Sequence, residues 1–222
     1  MKSLFLVLAG ICLCAFLQAQ VVFTPYLGVS AANFLTIGSF DGDSYFETDE
    51  DIILVPKIRP CSGAGIIAGL KGDLGAFELS YYYTRGIYTT METGYSGMCT
   101  QHMVRWLGLT HFSAGSRDKK LKPYIDMELS VMFSNFEKAA YAIGMPEYPN
   151  SASYSGLLFG VGGGFQWFLG KNLALDLRVL PEYYMGTDLK AKGSDRYSIT
   201  KFANLMVQST CGIKYYFITN TL

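Results

Sequence analysis

The segment Leu173-Ala-Leu-Asp-Leu-Arg-Val-Leu-Pro-Glu-Tyr-Tyr184 decides the fold of this chain. Side chains of an extended strand alternate between two faces with a period of two. One face of this segment is therefore continuously apolar, whereas the other carries Asp176, Arg178 and Glu182. A long strand of this kind is typical of a β-barrel in a membrane, in which lipid contacts the apolar outside and polar groups fill the inside.

The same alternation recurs along the chain and predicts eight strands, at 22–34, 61–71, 76–86, 100–113, 122–134, 155–169, 173–184 and 200–217. Their charged side chains fall on the face opposite the apolar one. We therefore expect a set of inward-facing charges: Glu78, Arg105, Asp126, Glu128, Asp176, Arg178, Glu182 and Lys214. A barrel of eight strands is only just wide enough for its side chains to fill. Because buried charges must be paired, we interpret this set as a structural plug rather than a path for ions or protons.

The connections between these segments alternate in length. Short turns are predicted at 71–75, 115–122 and 170–172, and long connections at 35–60, 87–99, 135–154 and 185–199. Outer-membrane barrels have short periplasmic turns and long extracellular loops. The sequence therefore predicts an all-β fold, an eight-stranded antiparallel up-and-down transmembrane β-barrel. A soluble secreted ligand-binding barrel is the alternative, because it would show the same alternation with inside and outside exchanged.

The first residues are those of a secretory signal peptide, predicted at 1–19. Lys2 supplies its positive charge, 4–17 its apolar region, and Ala19 the small residue before cleavage. The barrel domain is then 20–222, and after the signal no apolar run is long enough for a transmembrane helix. Lys and Arg number 18, as do Asp and Glu, so the balanced charge argues against a nucleic-acid partner. The 24 glycines, 16 tyrosines and 15 phenylalanines suit a crowded interior and aromatic rims.

Three stretches resemble the small outer-membrane barrels of Bacteroidetes, the PorT-like and OmpA-transmembrane-domain-like group. They are Pro25-Tyr-Leu-Gly-Val-Ser-Ala31, Phe77-Glu-Leu-Ser-Tyr-Tyr-Tyr-Thr-Arg-Gly86 and the last strand, which ends Gly212-Ile-Lys-Tyr-Tyr-Phe217. The signal ending Leu17-Gln-Ala-Gln20 is similar to those of the same bacteria. The terminal aromatic Phe217 resembles the signal read by the barrel-assembly machinery, although 218–222 follow it, whereas the family ends at or near that aromatic. The resemblance implies an outer-membrane protein, and an accessory role in protein secretion as one alternative.

His111 and Ser113 are the strongest hint of an enzyme. They share a face of one strand, and the pair resembles the His-Ser pair of outer-membrane lipid A deacylases. The predicted topology places them near the periplasmic end, far from a substrate in the outer leaflet, so we predict no catalytic residue. His102 has no partner at metal-ligand spacing. The acidic run 41–51 does not match a calcium hand, so neither a metal nor a cofactor is predicted.

Three cysteines remain after the signal is removed. Cys61 opens the second predicted strand and Cys99 precedes the fourth, so both should lie at the outer rim. They form a candidate disulfide that would tie the second long connection to the barrel, and two free thiols are the alternative. Cys211 should face lipid as a small apolar residue.

These observations predict a non-enzymatic integral protein of the outer membrane of a Gram-negative bacterium, Bacteroidetes-like, exported by its signal peptide. We expect a plugged lumen and long loops that serve envelope integrity or surface interaction. The expected partners are outer-membrane lipids and lipopolysaccharide, the barrel-assembly machinery during biogenesis, and a protein partner at the extracellular loops. The alternatives are an accessory secretion factor, a barrel enzyme that modifies lipid A, and the soluble barrel.

Overall fold

The computed structural model describes residues 23–37, 45–48, 51–54, 57–73, 75–89, 96–112, 120–137, 151–191, 198–199 and 202–217. Within these ranges lie eight long strands: β1 Thr24–Ile37, β2 Cys61–Lys71, β3 Gly75–Thr89, β4 Ser96–His111, β5 Leu121–Glu137, β6 Ser151–Phe168, β7 Leu173–Ala191 and β8 Phe202–Tyr216. Each strand pairs antiparallel with the next, and β8 pairs with β1. The sheet thus closes on itself, and the predicted eight-stranded up-and-down barrel is confirmed. The predicted signal peptide, 1–19, lies outside the described residues.

The two faces of the wall differ as the alternation requires. Leu177 and Val179 on β7 point outward and are 52% and 56% exposed, whereas Asp176 and Arg178 between them are each 2% exposed. Exposed apolar side chains follow the outward face of every strand, and the buried charges lie on the inward faces of β3, β4, β5, β7 and β8. A soluble barrel would need the opposite arrangement, so that alternative does not fit the structure.

Aromatic side chains lie on the outer face at the end of the barrel that carries the short turns. This end is called the short-turn edge. They include Phe77, Phe112, Trp167, Tyr215 and Phe217, of which each is at least 44% exposed. The rings of Tyr215 and Phe217 contact each other at 5.2 Å between centroids. Amphipathic or aromatic side chains at this height match the girdle that outer-membrane barrels place at the lipid headgroups.

Most strands extend further toward the opposite edge than the sequence predicted. For example, β7 continues to Ala191 rather than 184, and β5 continues to Glu137 rather than 134. The predicted segments end where the outward face turns polar, but backbone pairing continues beyond the apolar band because it does not depend on the side chains. Asn135 on β5 is such an exposed outward polar residue. As a result the short-turn connection 112–120, between β4 and β5, is longer than the connection 90–95 between β3 and β4. The expected strict alternation of loop lengths is wrong at this pair.

The first long connection contains paired backbone of its own. Tyr45–Thr48 pairs with Asp51–Leu54, and Lys57–Ile58 adds to the end of β3. Ser198–Ile199 pairs with β7 in the last connection. The described residues include no helix of the length and apolar character needed to cross a membrane.

Candidate functional site: the charged interior of the barrel

All the charges that the sequence placed inside the barrel lie in its interior, with relative exposures of at most 2%: Glu78, Arg105, Asp126, Glu128, Asp176, Arg178, Glu182 and Lys214. They come from five of the eight strands, which are β3, β4, β5, β7 and β8. Ionised groups taken out of water are costly unless opposite charges and hydrogen bonds replace the lost hydration. The contacts among these groups therefore decide what the interior can do.

Glu78 on β3 is the centre of this cluster. Its carboxylate lies 2.6 Å from Nζ of Lys214, 3.1 Å from Nη1 of Arg178 and 3.2 Å from Nη2 of Arg105. The hydroxyl of Tyr26 donates a further hydrogen bond to it at 3.1 Å. One carboxylate thus joins the three buried cations, which come from three different strands.

Two contacts cross the whole lumen. In the closed order of eight strands, β3 stands opposite β7, and β4 stands opposite β8. Arg178 on β7 reaches Glu78 on β3, and Arg105 on β4 donates from Nη1 to Oε1 of Gln208 on β8 at 3.0 Å. Side chains from opposite walls therefore meet in the centre of the barrel.

The remaining acids differ in the number of cations that they contact. Asp126 lies 3.0 Å from Nε of Arg178, and Asp176 lies 3.2 Å from both Arg178 and Lys214. Glu128 is 3.7 Å from Arg105. Glu182 departs from the expected pairing, because within the described part of the chain it has no cation at ion-pair distance, and its two carboxyl oxygens accept no hydrogen bond.

Glycines on β6 make room for the cluster. Gly164 lies between Tyr124 of β5 and Arg178 of β7 in the sheet register. A Cβ atom at this position would lie 2.7 Å from Cζ of Tyr124 and would also collide with the carbonyl oxygen of Leu177. Without it, the Tyr124 hydroxyl lies 3.1 Å from Nε of Arg178 and donates to Asp176 at 3.0 Å.

The sequence did not identify two tyrosines as members of this network. Besides Tyr26, the hydroxyl of Tyr82 accepts a hydrogen bond from Nη2 of Arg105 at 2.7 Å, and the guanidinium lies over the Tyr82 ring. The sequence does place both tyrosines inside the barrel, because each alternates with the outward-facing apolar residues of its strand. Sequence reasoning named only the charged residues of the inward faces as members of the network.

The residues considered for catalysis or metal binding are His111, Ser113 and His102. His111 points inward and is buried, and its Nε2 lies 3.1 Å from Oε1 of Gln166. Ser113 lies outside the described residues. His102 is on the outer face, where Nδ1 lies 2.7 Å from the Tyr81 hydroxyl. No group of three or more metal-ligating side chains occurs among the residues that the structure describes.

The candidate disulfide is absent: Cys61 and Cys99 are buried free thiols. They lie on β2 and β4, on either side of Gly86 in β3. Two strand spacings place their Cα atoms roughly 9–10 Å apart, beyond the roughly 7 Å limit for a disulfide. The Sγ atom of Cys61 donates to the carbonyl oxygen of Arg59 at 3.6 Å. Cys211 is exposed on the outer face, where the sequence placed it.

The fold is similar to those of solved outer-membrane proteins. The outer membrane protein OprG from Pseudomonas aeruginosa is similar with a TM-score of 0.62 and 12% identity, covering 91% of this chain and 99% of that one. Neisserial surface protein A is similar with a TM-score of 0.54 and 16% identity, covering 87% and 97%. No protein-family model matches the chain, and the comparison with curated proteins gives no match. At these identities the likeness shows the fold, which is that of an outer-membrane β-barrel.

Proposed function

We propose that this protein is a non-enzymatic integral protein of the outer membrane whose lumen is plugged and whose long connections act at the cell surface. The plug is made of the ion-paired side chains centred on Glu78. The barrel then serves as an anchor in the membrane, and envelope integrity or contact with a protein partner depends on the long connections. Outer-membrane lipids and lipopolysaccharide cover the apolar outer face, and the barrel-assembly machinery inserts the chain.

The observation that carries the proposal is the pair of contacts that span the lumen. Arg178 reaches Glu78 and Arg105 reaches Gln208 across the full width of the barrel. An eight-stranded barrel has an interior that its own side chains are sufficient to fill. An ion that crossed it would have to separate buried charge pairs, which is strongly unfavourable.

Conductance in a planar lipid bilayer tests the plug. The purified protein, with folding verified by its different gel mobility before and after boiling, should give no steady conductance. A general porin that is purified and inserted in the same way provides the positive control. Reproducible channels from the folded wild-type chain would show that the lumen is open and would overturn the proposal.

Two other functions are separated by deletion of the gene. If the protein is an accessory factor in secretion, as the resemblance to PorT-like barrels implies, export of secreted proteins should fall in the deletion strain. If it modifies lipid A, the mass profile of lipid A should change. The proposal expects both to be unchanged and expects increased sensitivity of the envelope to detergents or loss of a surface interaction.

A further inference from the structure

Glu128 and Glu182 face each other inside the barrel although they belong to strands that are not neighbours. Both residues lie in register with Gly160 of β6, Glu128 from β5 and Glu182 from β7. They are 1% and 0% exposed. A Cβ atom on Gly160 would lie 2.9 Å from Cγ of Glu182, so the Glu182 side chain passes directly over the glycine. Glu128 stands on the other side of the same glycine, so the two acidic side chains face each other across Gly160 in the interior.

The buried charges of the described interior do not balance. Five acids, Glu78, Asp126, Glu128, Asp176 and Glu182, face three cations, Arg105, Arg178 and Lys214. The ion pairs of those cations involve the first four acids only. Glu182 is therefore the acid without a compensating cation in the part of the chain that the structure describes.

Two ionised carboxylates that face each other away from water repel each other and lose their hydration, so one of them is expected to take up a proton. A carboxylic acid that donates to a carboxylate satisfies both groups at once. We propose that Glu182 and Glu128 hold one proton between them, as a proton-binding site in the barrel interior. The O–H group of Glu182 then donates to an oxygen of Glu128.

The surroundings indicate which partner keeps the negative charge. Arg105 of β4 lies 3.7 Å from Glu128, which favours the carboxylate form of that residue. Asp126, two residues before Glu128 on the inward face of β5, adds a further negative charge near the pair. The neighbouring positions on β6 and β8 are Gly160 and Met206, which carry no charge. This site is independent of whether the lumen conducts ions.

The test is the pH dependence of folding of the full chain in detergent, measured from urea titrations between about pH 5.5 and 8. Because a free glutamate is ionised above about pH 4.3, the folded barrel binds one proton more than the unfolded chain. The folding equilibrium constant of the wild type should therefore fall by up to about tenfold more per pH unit than that of Glu182→Gln. At neutral pH the variant should be at least as stable as the wild type, because its amide donates to Glu128 without needing a proton.

Glu78→Gln is the matched control. It removes the carboxylate that holds three cations, so it should lower stability at every pH while leaving the extra slope of the wild type in place. Equal slopes for wild type and Glu182→Gln would overturn the proposal. So would a wild-type stability that depends on sodium ions at constant ionic strength, since a bound cation would then replace the proton. If Glu182→Gln does not fold, the infrared spectrum of the folded wild type decides: absence of a protonated carboxyl band at neutral pH overturns the proposal.

Discussion

Arg178 and Glu78 are bound to each other across the diameter of the barrel, with 3.1 Å between Nη1 and Oε1. They stand on β7 and β3, and both are almost fully buried. The same guanidinium contacts Asp126 and Asp176. A single side chain thus connects three acids from three strands, and its loss would leave more than one of them without its partner.

Replacing Arg178 by Leu is expected to lower the free energy of unfolding by roughly 3–5 kcal/mol, because removing one partner of a buried ion pair leaves the other charge uncompensated. Urea titration of the folded band on gels measures this. Arg178→Lys keeps the charge but loses the planar fork that contacts several acids, so its stability should lie between those of the wild type and Arg178→Leu. A Leu variant as stable as the wild type would mean that the network contributes nothing to folding.

The alternation of side chains was sufficient to predict the barrel and the set of inward charges. It works because every strand has one face toward lipid and one toward the lumen, so parity alone assigns a residue such as Asp176 to the inside. The ends of the strands could not be predicted in this way. Beyond the apolar band, positions such as Asn135 stay paired through the backbone, and the sequence pattern that marks a strand is lost.

The partners inside the lumen could not be predicted either, because parity gives the face of a residue but not its register against distant strands. Glu128 and Glu182 face each other because both are in register with Gly160. The same lack of register information allowed a disulfide between Cys61 and Cys99. The structure shows that a whole strand separates their backbones.

The outer face should tolerate a charge near its edge but not near its middle. Leu177 is outward and 52% exposed, so Leu177→Arg places a cation in the lipid at a cost of roughly 2–4 kcal/mol. Asn135→Arg is the matched control, since it introduces the same residue on the same face beyond the apolar band and should cost at most about 1 kcal/mol. Folding yield into lipid vesicles is the measurement. Gln208→Arg is unsuitable as a control, because Gln208 accepts a hydrogen bond from Arg105. Equal yields for the two variants would mean that the outer face is not in lipid.

Gly164 should be far more sensitive to a methyl group than Gly108. Gly164→Ala forces Tyr124 away from Asp176 and Arg178, and overpacking of this kind costs roughly 1–3 kcal/mol. Gly108 lies on the outer face of β4, where an added Cβ has no neighbour within 4 Å. Gly108→Ala should therefore be neutral or stabilise the barrel by about 0.5 kcal/mol, because alanine loses less backbone entropy on folding. Urea titration compares the stabilities of the two variants. A Gly108→Ala variant less stable than Gly164→Ala would contradict the close packing of Tyr124 against β6.

The long connections are expected at the cell surface and the short turns in the periplasm, as the topology of outer-membrane barrels requires. A protease site inserted within 138–150 should be cleaved when protease is added to intact cells. The same site within 112–120 provides a demanding control, because that connection is longer than 90–95 and yet belongs to the short-turn edge. It should be cleaved only after the outer membrane is opened. Cleavage of the 112–120 insertion in intact cells, with protection of 138–150, would reverse the orientation of the barrel.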